Sequence, residues 1–196
     1  MEHTKDPSKD NVILIGMPGV GKSTAGVILA KVLGYDFLDS DLVIQKQTKK
    51  RLSEIIAAEG IDGFNALENR INSEITVSHP TVIATGGSVI YGADAMAHFH
   101  QIGTIVYLKI SYRDLTRRLG DLDARGVVHR KEQTLEDLYR ERCVLYEKYA
   151  DITIDMDGKN IEKAFDTHCL LYRQRKRKNA GNRRDPYPPG KRHRLS

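Results

Sequence analysis

Residues 16–24 read Gly16-Met17-Pro18-Gly19-Val20-Gly21-Lys22-Ser23-Thr24, a complete match to G-x-x-x-x-G-K-[ST]. No other feature of the chain constrains its fold as tightly. The pattern works only where a strand ends, the backbone turns sharply and a helix begins. Its glycines let backbone N–H groups curl round an anion, and the helix N-terminus adds a partial positive charge. Gly16, Gly19, Gly21 and Thr24 would then frame the phosphates of ATP, and Lys22 would reach the β- and γ-phosphates. The Ser23 hydroxyl would ligate Mg²⁺. A glycine turn that merely joined strand to helix would not require Lys22-Ser23 at its end.

The flanking sequence supplies that context. NVILI (11–15) is a short continuous apolar run, as expected of a strand buried on both faces, and a helical pattern covers Lys22–Leu33. Further strands are expected at 35–38, at TVIA (81–84), at TIVYLKI (104–110) and at DITIDM (151–156). Helical patterns fall at 40–47, in two parts over 53–78 divided between Gly60 and Gly63, and at 93–100, 111–119 and 134–149. A last helix is expected from Asn160. This alternation predicts a doubly wound α/β domain, a five-stranded parallel sheet flanked by helices. Ligands of such folds bind beyond the carboxyl ends of the strands.

At that edge, after the second strand, stands Phe37-Leu38-Asp39-Ser40-Asp41. Two acids two residues apart point the same way in an extended chain. Beside a Mg²⁺–phosphate site, Asp39 would hold the metal's water shell. Asp41 would accept a hydrogen bond from a substrate hydroxyl and orient or deprotonate it. A helix cap at Asp39 or Ser40 explains one acid but not both, and capping and catalysis are compatible.

Charge divides the chain. The net charge is +5, yet residues 173–196 alone hold ten Lys or Arg against Asp185, leaving 21 basic and 25 acidic residues before them. With three prolines, two glycines and little to bury, 173–196 is expected to be a disordered basic tail. No aromatic platform accompanies the charge, so a nucleic-acid partner is not expected. The polar stretch 1–10 resembles neither a signal nor a transit peptide, and no apolar run reaches the roughly 18 residues a membrane span needs. Cys143 and Cys169 sit in helical patterns and read as free thiols of a reducing compartment, so a cytoplasmic location is expected. A monomer is the separate default expectation. The domain would occupy 11–172, with a charged, poorly periodic loop at 120–133 suited to a lid.

Taken together, these residues resemble the shikimate kinase family. The phosphate loop, FLDSD, Ala84-Thr85-Gly86-Gly87, the pair Arg117-Arg118, Arg125 in the charged loop and Arg142…Leu145-Tyr146 occur in the family's order over about residues 10–172. The resemblance implies a P-loop kinase, similar in fold to the nucleoside monophosphate kinases. It would transfer the γ-phosphoryl group of ATP to a hydroxyl of shikimate in aromatic amino-acid biosynthesis. It further implies that Asp39 assists Mg²⁺ and that Asp41 binds the acceptor hydroxyls as base. Gly86 and Gly87 would line the substrate pocket, and Arg118 would stack on adenine. Arg125 would neutralise the transferring group, and Arg142 would pair with the substrate carboxylate.

Three positions depart from the family pattern. Asn65, in Phe64-Asn65-Ala66-Leu67-Glu68, stands where the family places an Arg that clamps the carboxylate. The glycine triplet reads Gly86-Gly87-Ser88, and the lid Arg-Pro-Leu reads Arg125-Gly126-Val127. A small-molecule kinase is thus expected, with Asn65 taking the place of the clamp. Two alternatives stay open at this point: a divergent relative acting on another hydroxy acid such as gluconate, and a nucleotide-binding regulator without turnover. The joint presence of Lys22, Asp39, Asp41 and Arg125 argues against the regulator.

Overall fold

The computed structural model describes residues 10–119 and 133–158, and among these residues strands and helices alternate as the apolar runs require. Strand β1 (Asn11–Ile15) is followed by α1 (Lys22–Leu33), β2 (Asp36–Asp39), α2 (Ser40–Thr48) and the long helix α3 (Leu52–Ser73). Then come β3 (Thr81–Ala84), a single 3₁₀ turn (Val89–Tyr91), α4 (Ala93–Ile102) and β4 (Gly103–Lys109). Helices α5 (Tyr112–Leu119) and α6 (Leu135–Tyr149) precede β5 (Ile152–Asp155).

All strand pairs are parallel and the sheet order is β2-β3-β1-β4-β5. The central strands β1 and β3 are buried along their whole length, which is why they read as unbroken apolar runs. The edge strand β5 alternates instead, with Ile154 buried between exposed Thr153 and Asp155. From β1 the chain first builds outward to one side, through β2 and β3, and then to the other, through β4 and β5. The carboxyl end of β1 is therefore a topological switch point, and the glycine-rich loop begins there. Register brings Leu14 of β1 and Asp39 of β2 both level with Ala84 of β3, so three loops leave the sheet at one height. Thr85 fastens two of them, its N–H and hydroxyl both donating to the Leu14 carbonyl at 3.2 and 2.9 Å.

The expected elements are present with small shifts. The two helical patterns of 53–78 form one kinked helix, broken at Gly60, whose φ of 71° and ψ of −178° leave the helical region. That helix stops at Ser73 because Ile75-Thr76-Val77 is a β-branched run with poor helix propensity, and Pro80 follows. The 3₁₀ turn at Val89–Tyr91 is too short to leave a periodic signal. No helix of the described residues is long and apolar enough to cross a membrane. Residues 1–9, the segment 120–132 with Arg125, and residues 159–196, with the expected last helix, Cys169 and the basic tail, lie outside the described residues.

Candidate active site

The loop after β1 has the backbone its glycines predict. Gly16, Gly19 and Gly21 take φ values of 147°, 79° and 98°, a region that side chains disfavour, and this curls the chain back on itself. Gly21 is the N-cap of α1, and no side chain supplies a capping hydrogen bond. The first turn of a twelve-residue helix is thus left for an external anion. Lys22 is buried, and its Nζ donates to the carbonyls of Gly16 and Met17 at 2.8 and 3.1 Å. Burial lowers its pKa to about 8, while the nearby carboxylate of Asp41 works in the opposite direction. A desolvated cation whose hydrogen bonds go to neutral carbonyls is well matched to a polyanion that brings its own charge. Thr24 is exposed on the same first turn.

The Ser23 hydroxyl donates to Oδ2 of Asp39 at 2.7 Å, while Asp39 Oδ1 accepts the backbone N–H of Asp41 at 3.0 Å. Asp39 therefore caps α2 and faces the phosphate loop at once, so the two readings of this residue coincide. The expected parallel alignment of the acids along an extended chain is not what the structure shows. Asp39 is extended, but α2 begins at Ser40, so Asp41 lies in the first helical turn and points into the interior. There its Oδ1 is buried without a hydrogen-bond partner among the described residues. Burial raises the carboxyl's pKa, and the neighbouring Asp39 raises it further.

A cleft of about 440 Å³ joins the two halves of the site. Gly19, Gly21, Lys22, Ser23 and Thr24 form its phosphate end, and Asp41, Gly86, Gly87 and Arg142 its other end. Gly86 is packed closely by the two acids: a β-carbon there would collide with Glu68 Oε1 and lie 2.9 Å from Asp41 Oδ1, so either carboxylate would have to shift. A β-carbon on Gly87 would be driven into Pro18, with Arg142 Nη1 3.1 Å away. Arg142 is 1% exposed, its Nε donates to the Tyr91 hydroxyl at 3.3 Å, and its guanidinium lies 5.4 Å from the Tyr91 ring centre. Four residues on, the Tyr146 hydroxyl donates to the Gly87 carbonyl at 2.6 Å, so α6 holds both the arginine and the glycine turn.

The structure thus gathers Lys22, Ser23, Thr24, Asp41, Gly19, Gly21, Gly86, Gly87 and Arg142 around one cleft. Gly16 and Asp39 are not part of that lining but bond to residues that are, Gly16 through its carbonyl to Lys22 and Asp39 through Oδ2 to Ser23. Arg118 hangs from the phosphate loop, its Nη1 donating to the Val20 carbonyl at 3.1 Å, and lies outside the lining. Arg117 turns elsewhere, toward Asp114 at 3.6 Å. Asn65 is half-buried and also outside the lining, with Oδ1 buried and without a partner among the described residues. Ser88, which the sequence sets beside the pocket in place of a third glycine, lines the cleft, and so does Glu68, to which sequence reasoning assigned no site role. The signal for Glu68 was present: it follows Phe64 by four and precedes Ile71 by three, an acid on the core-facing stripe of α3. Among the described residues no group of three or more His, Cys, Asp or Glu side chains could cage a metal ion. The Ser23–Asp39 pair is the donor set that fits Mg²⁺, which keeps most of its water and shares its remaining contacts with phosphates.

Comparison with known proteins points one way. A family model described as shikimate kinase matches residues 18–170. The chain is 37% identical over 155 residues to the shikimate kinase of Haemophilus influenzae strain PittEE, covering 78% of this chain and 86% of the relative. It is 35% identical over 162 residues to that of Thermobifida fusca, covering 80% and 91%. The structure of shikimate kinase from Acinetobacter baumannii in complex with shikimate superposes with a TM-score of 0.77 at 31% identity, covering 87% of this chain and 97% of that one.

Proposed function

Because the chain belongs to the shikimate kinase family, we propose that it transfers the γ-phosphoryl group of ATP to a hydroxyl of shikimate, with the described cleft as the site. One observation carries the reading: a phosphate loop and a wall of buried carboxylates and arginine line the same 440 Å³ cleft. Phosphoryl transfer asks little covalent chemistry of a protein and much positioning and charge stabilisation. The parts match that demand.

In this reading Lys22 leaves the carbonyls of Gly16 and Met17 for the β- and γ-phosphates, which restore the proton affinity that burial lowers. Ser23 and Asp39 would hold Mg²⁺, which supplies neutralisation of the phosphate oxygens when bound. Asp41, desolvated and with a free buried oxygen, accepts the hydrogen of the attacking hydroxyl and orients it. Gly86 and Gly87 let the substrate approach the backbone, and Arg142 takes its carboxylate. Arg118, bonded to the Val20 carbonyl of the phosphate loop, would stack on adenine. Arg125 completes the charge from the lid segment.

The test is ADP release measured across shikimate, quinate and gluconate with Mg²⁺ and ATP. Shikimate should give the highest kcat/KM. Preference for gluconate, or no acceptor-dependent ADP with any of the three, would overturn the reading.

A further inference from the structure

We propose that Tyr91, standing behind the cleft, is a positioning residue for Arg142: its hydroxyl occupies Nε of the guanidinium and so turns the Nη end toward the acceptor. The inference rests on the proposed assignment of Arg142 to the substrate carboxylate.

A guanidinium offers a carboxylate two edges for paired hydrogen bonds, one from Nε with a neighbouring Nη and one from the two Nη groups. The edge that a ligand meets decides where its carboxylate lies and how the rest of the molecule is turned. In this structure the first edge is already in use. Arg142 Nε donates to the Tyr91 hydroxyl at 3.3 Å, and the guanidinium carbon lies 5.4 Å from the centre of the same ring. Arg142 Nη1 is at the glycine turn, 3.1 Å from where a β-carbon of Gly87 would stand. Arg142 and Gly87 line the cleft, whereas half-buried Tyr91 does not. Tyr91 therefore acts on a ligand through the arginine.

The tyrosine is itself fixed in direction. Its backbone N–H donates to the Ser88 carbonyl at 2.9 Å, and Val89 and Ile90 of the same turn are buried. The single proton of its hydroxyl goes to Glu141 Oε1 at 2.7 Å, so the oxygen presents lone pairs to Nε, which can only donate. Glu141 precedes Arg142 on α6, and neighbours on a helix project about 100° apart and do not face each other. Tyr91 spans that gap. The other oxygen of Glu141 accepts the Gln133 side-chain amide at 2.6 Å, which steadies the carboxylate. Burial raises the pKa of the phenol and the bond to Glu141 raises it further, so the proton that sets this direction stays on the oxygen. A carboxylate that polarises the phenol makes its oxygen a stronger acceptor for the arginine.

The experiment compares shikimate with its carboxamide, which keeps the ring and hydroxyls but loses the charge, in the wild type, Tyr91→Phe, Arg142→Lys and the double variant. KM for ATP and the melting temperature are recorded alongside. The wild type should prefer the acid. Tyr91→Phe keeps the ring beside the guanidinium and releases Nε. Its acid-to-amide ratio of kcat/KM should fall about 3- to 10-fold, the equivalent of one hydrogen bond, through KM for the acid and with KM for ATP unchanged. A lysine has no second edge to choose, so Tyr91→Phe should leave the ratio unchanged in the Arg142→Lys background. An unchanged ratio in Tyr91→Phe alone, or an equal fall in the Arg142→Lys background, overturns the proposal even where melting temperatures drop, because a purely structural loss would weaken acid and amide alike. Equal use of acid and amide by the wild type would mean that Arg142 holds no carboxylate, and the role of Tyr91 falls with that assignment. Should the wild type prefer quinate or gluconate, the proposed function fails instead, and the same ratio on that acid and its amide decides the role of Tyr91.

Discussion

Ser23 and Asp39, sixteen residues apart, are joined by a 2.7 Å hydrogen bond that ties the first turn of α1 to the end of β2. The bond is exposed on the cleft side and holds a hydroxyl and a carboxylate oxygen at the spacing of two ligands in one metal's coordination sphere. Ser23→Ala and Asp39→Asn should each raise the Mg²⁺ concentration for half-maximal rate about 10-fold, roughly the effect of losing one metal-orienting group. The double variant should cost less than the sum, since both act on one ion. Mn²⁺ binding in the presence of ATP, followed by paramagnetic resonance, should rank the variants in the same order. Equal metal requirements across the set would remove the pair from the metal site.

Lys22 offers a test that separates charge from shape. Burial holds its pKa near 8, so the free protein is partly deprotonated there above that value. Phosphates arriving beside it raise the pKa again, and nucleotide binding should take up a proton near pH 8.5. Calorimetry in two buffers of different ionisation heat should show that uptake in the wild type and not in Lys22→Met. Lys22→Ala should lower the rate roughly 10²-fold or more with the fold retained. Near-normal turnover in that variant would remove the lysine from the mechanism.

Much of this site is legible in the sequence because its parts are local. Gly16 to Thr24 form a loop whose geometry follows from glycine positions, and β1 and β3 are read directly from unbroken apolar runs. The direction of Asp41 is not legible. Two acids two residues apart look aligned until it is known that α2 starts between them, and the capping bond from Asp41 N to Asp39 decides that. Glu68 and Ser88 are harder, since their contact joins α3 to the turn after β3 across twenty residues. An acid on an apolar stripe signals burial, but only the fold says what it meets. Tyr146 belongs to the same class, a side chain on α6 whose partner, Gly87, is 59 residues away.

Tyr146 should reveal itself through the acceptor alone. Its ring stacks on Tyr107 with centroids 5.1 Å apart, and its hydroxyl holds the Gly87 carbonyl. Tyr146→Phe keeps the stack and removes the bond, leaving a carbonyl without its donor. Stability should fall by about 1–3 kcal/mol, and KM for shikimate should rise several-fold with KM for ATP unchanged. A rise in both constants would point to general loosening and not to the glycine turn.

Glu68 links the site to stability. Burial pushes its carboxyl from an ordinary 4.5 up to about 7, against the pull of the Ser88 hydroxyl. Between those values the folded protein holds a proton that the unfolded chain has released. The stability this group contributes is therefore full below about pH 4.5 and declines as pH rises toward 7. Asp41, also raised, acts with the same sign. Denaturation of the free protein from pH 5 to 8 should show a decline that flattens in Glu68→Gln, by up to about 3 kcal/mol across the window. Parallel profiles would mean that Glu68 is ionised and well solvated in the native state.

Asn65 gives the last prediction. Its amide stands one turn before Glu68 on α3, half-buried and outside the cleft lining, with Oδ1 unpaired among the described residues. The resemblance to the family puts a carboxylate-clamping arginine at this position, so in the proposed reading Arg142 would be left as the main cation for the substrate carboxylate. Arginine is longer than asparagine by about three bonds and carries a forked, permanent charge that an amide lacks. A charge-assisted, partly buried pair contributes about 1.5–3 kcal/mol, so Asn65→Arg should lower KM for shikimate about 10-fold or more at similar kcat. The new cation would also lie three residues from Glu68, close enough to draw its pKa down and flatten the pH profile of stability. The two readouts separate the possible partners of the arginine. A lower KM with the pH profile unchanged means that it reaches the substrate; a flattened profile with KM unchanged means that Glu68 captures it. If neither moves, Asn65 has no part in acceptor recognition.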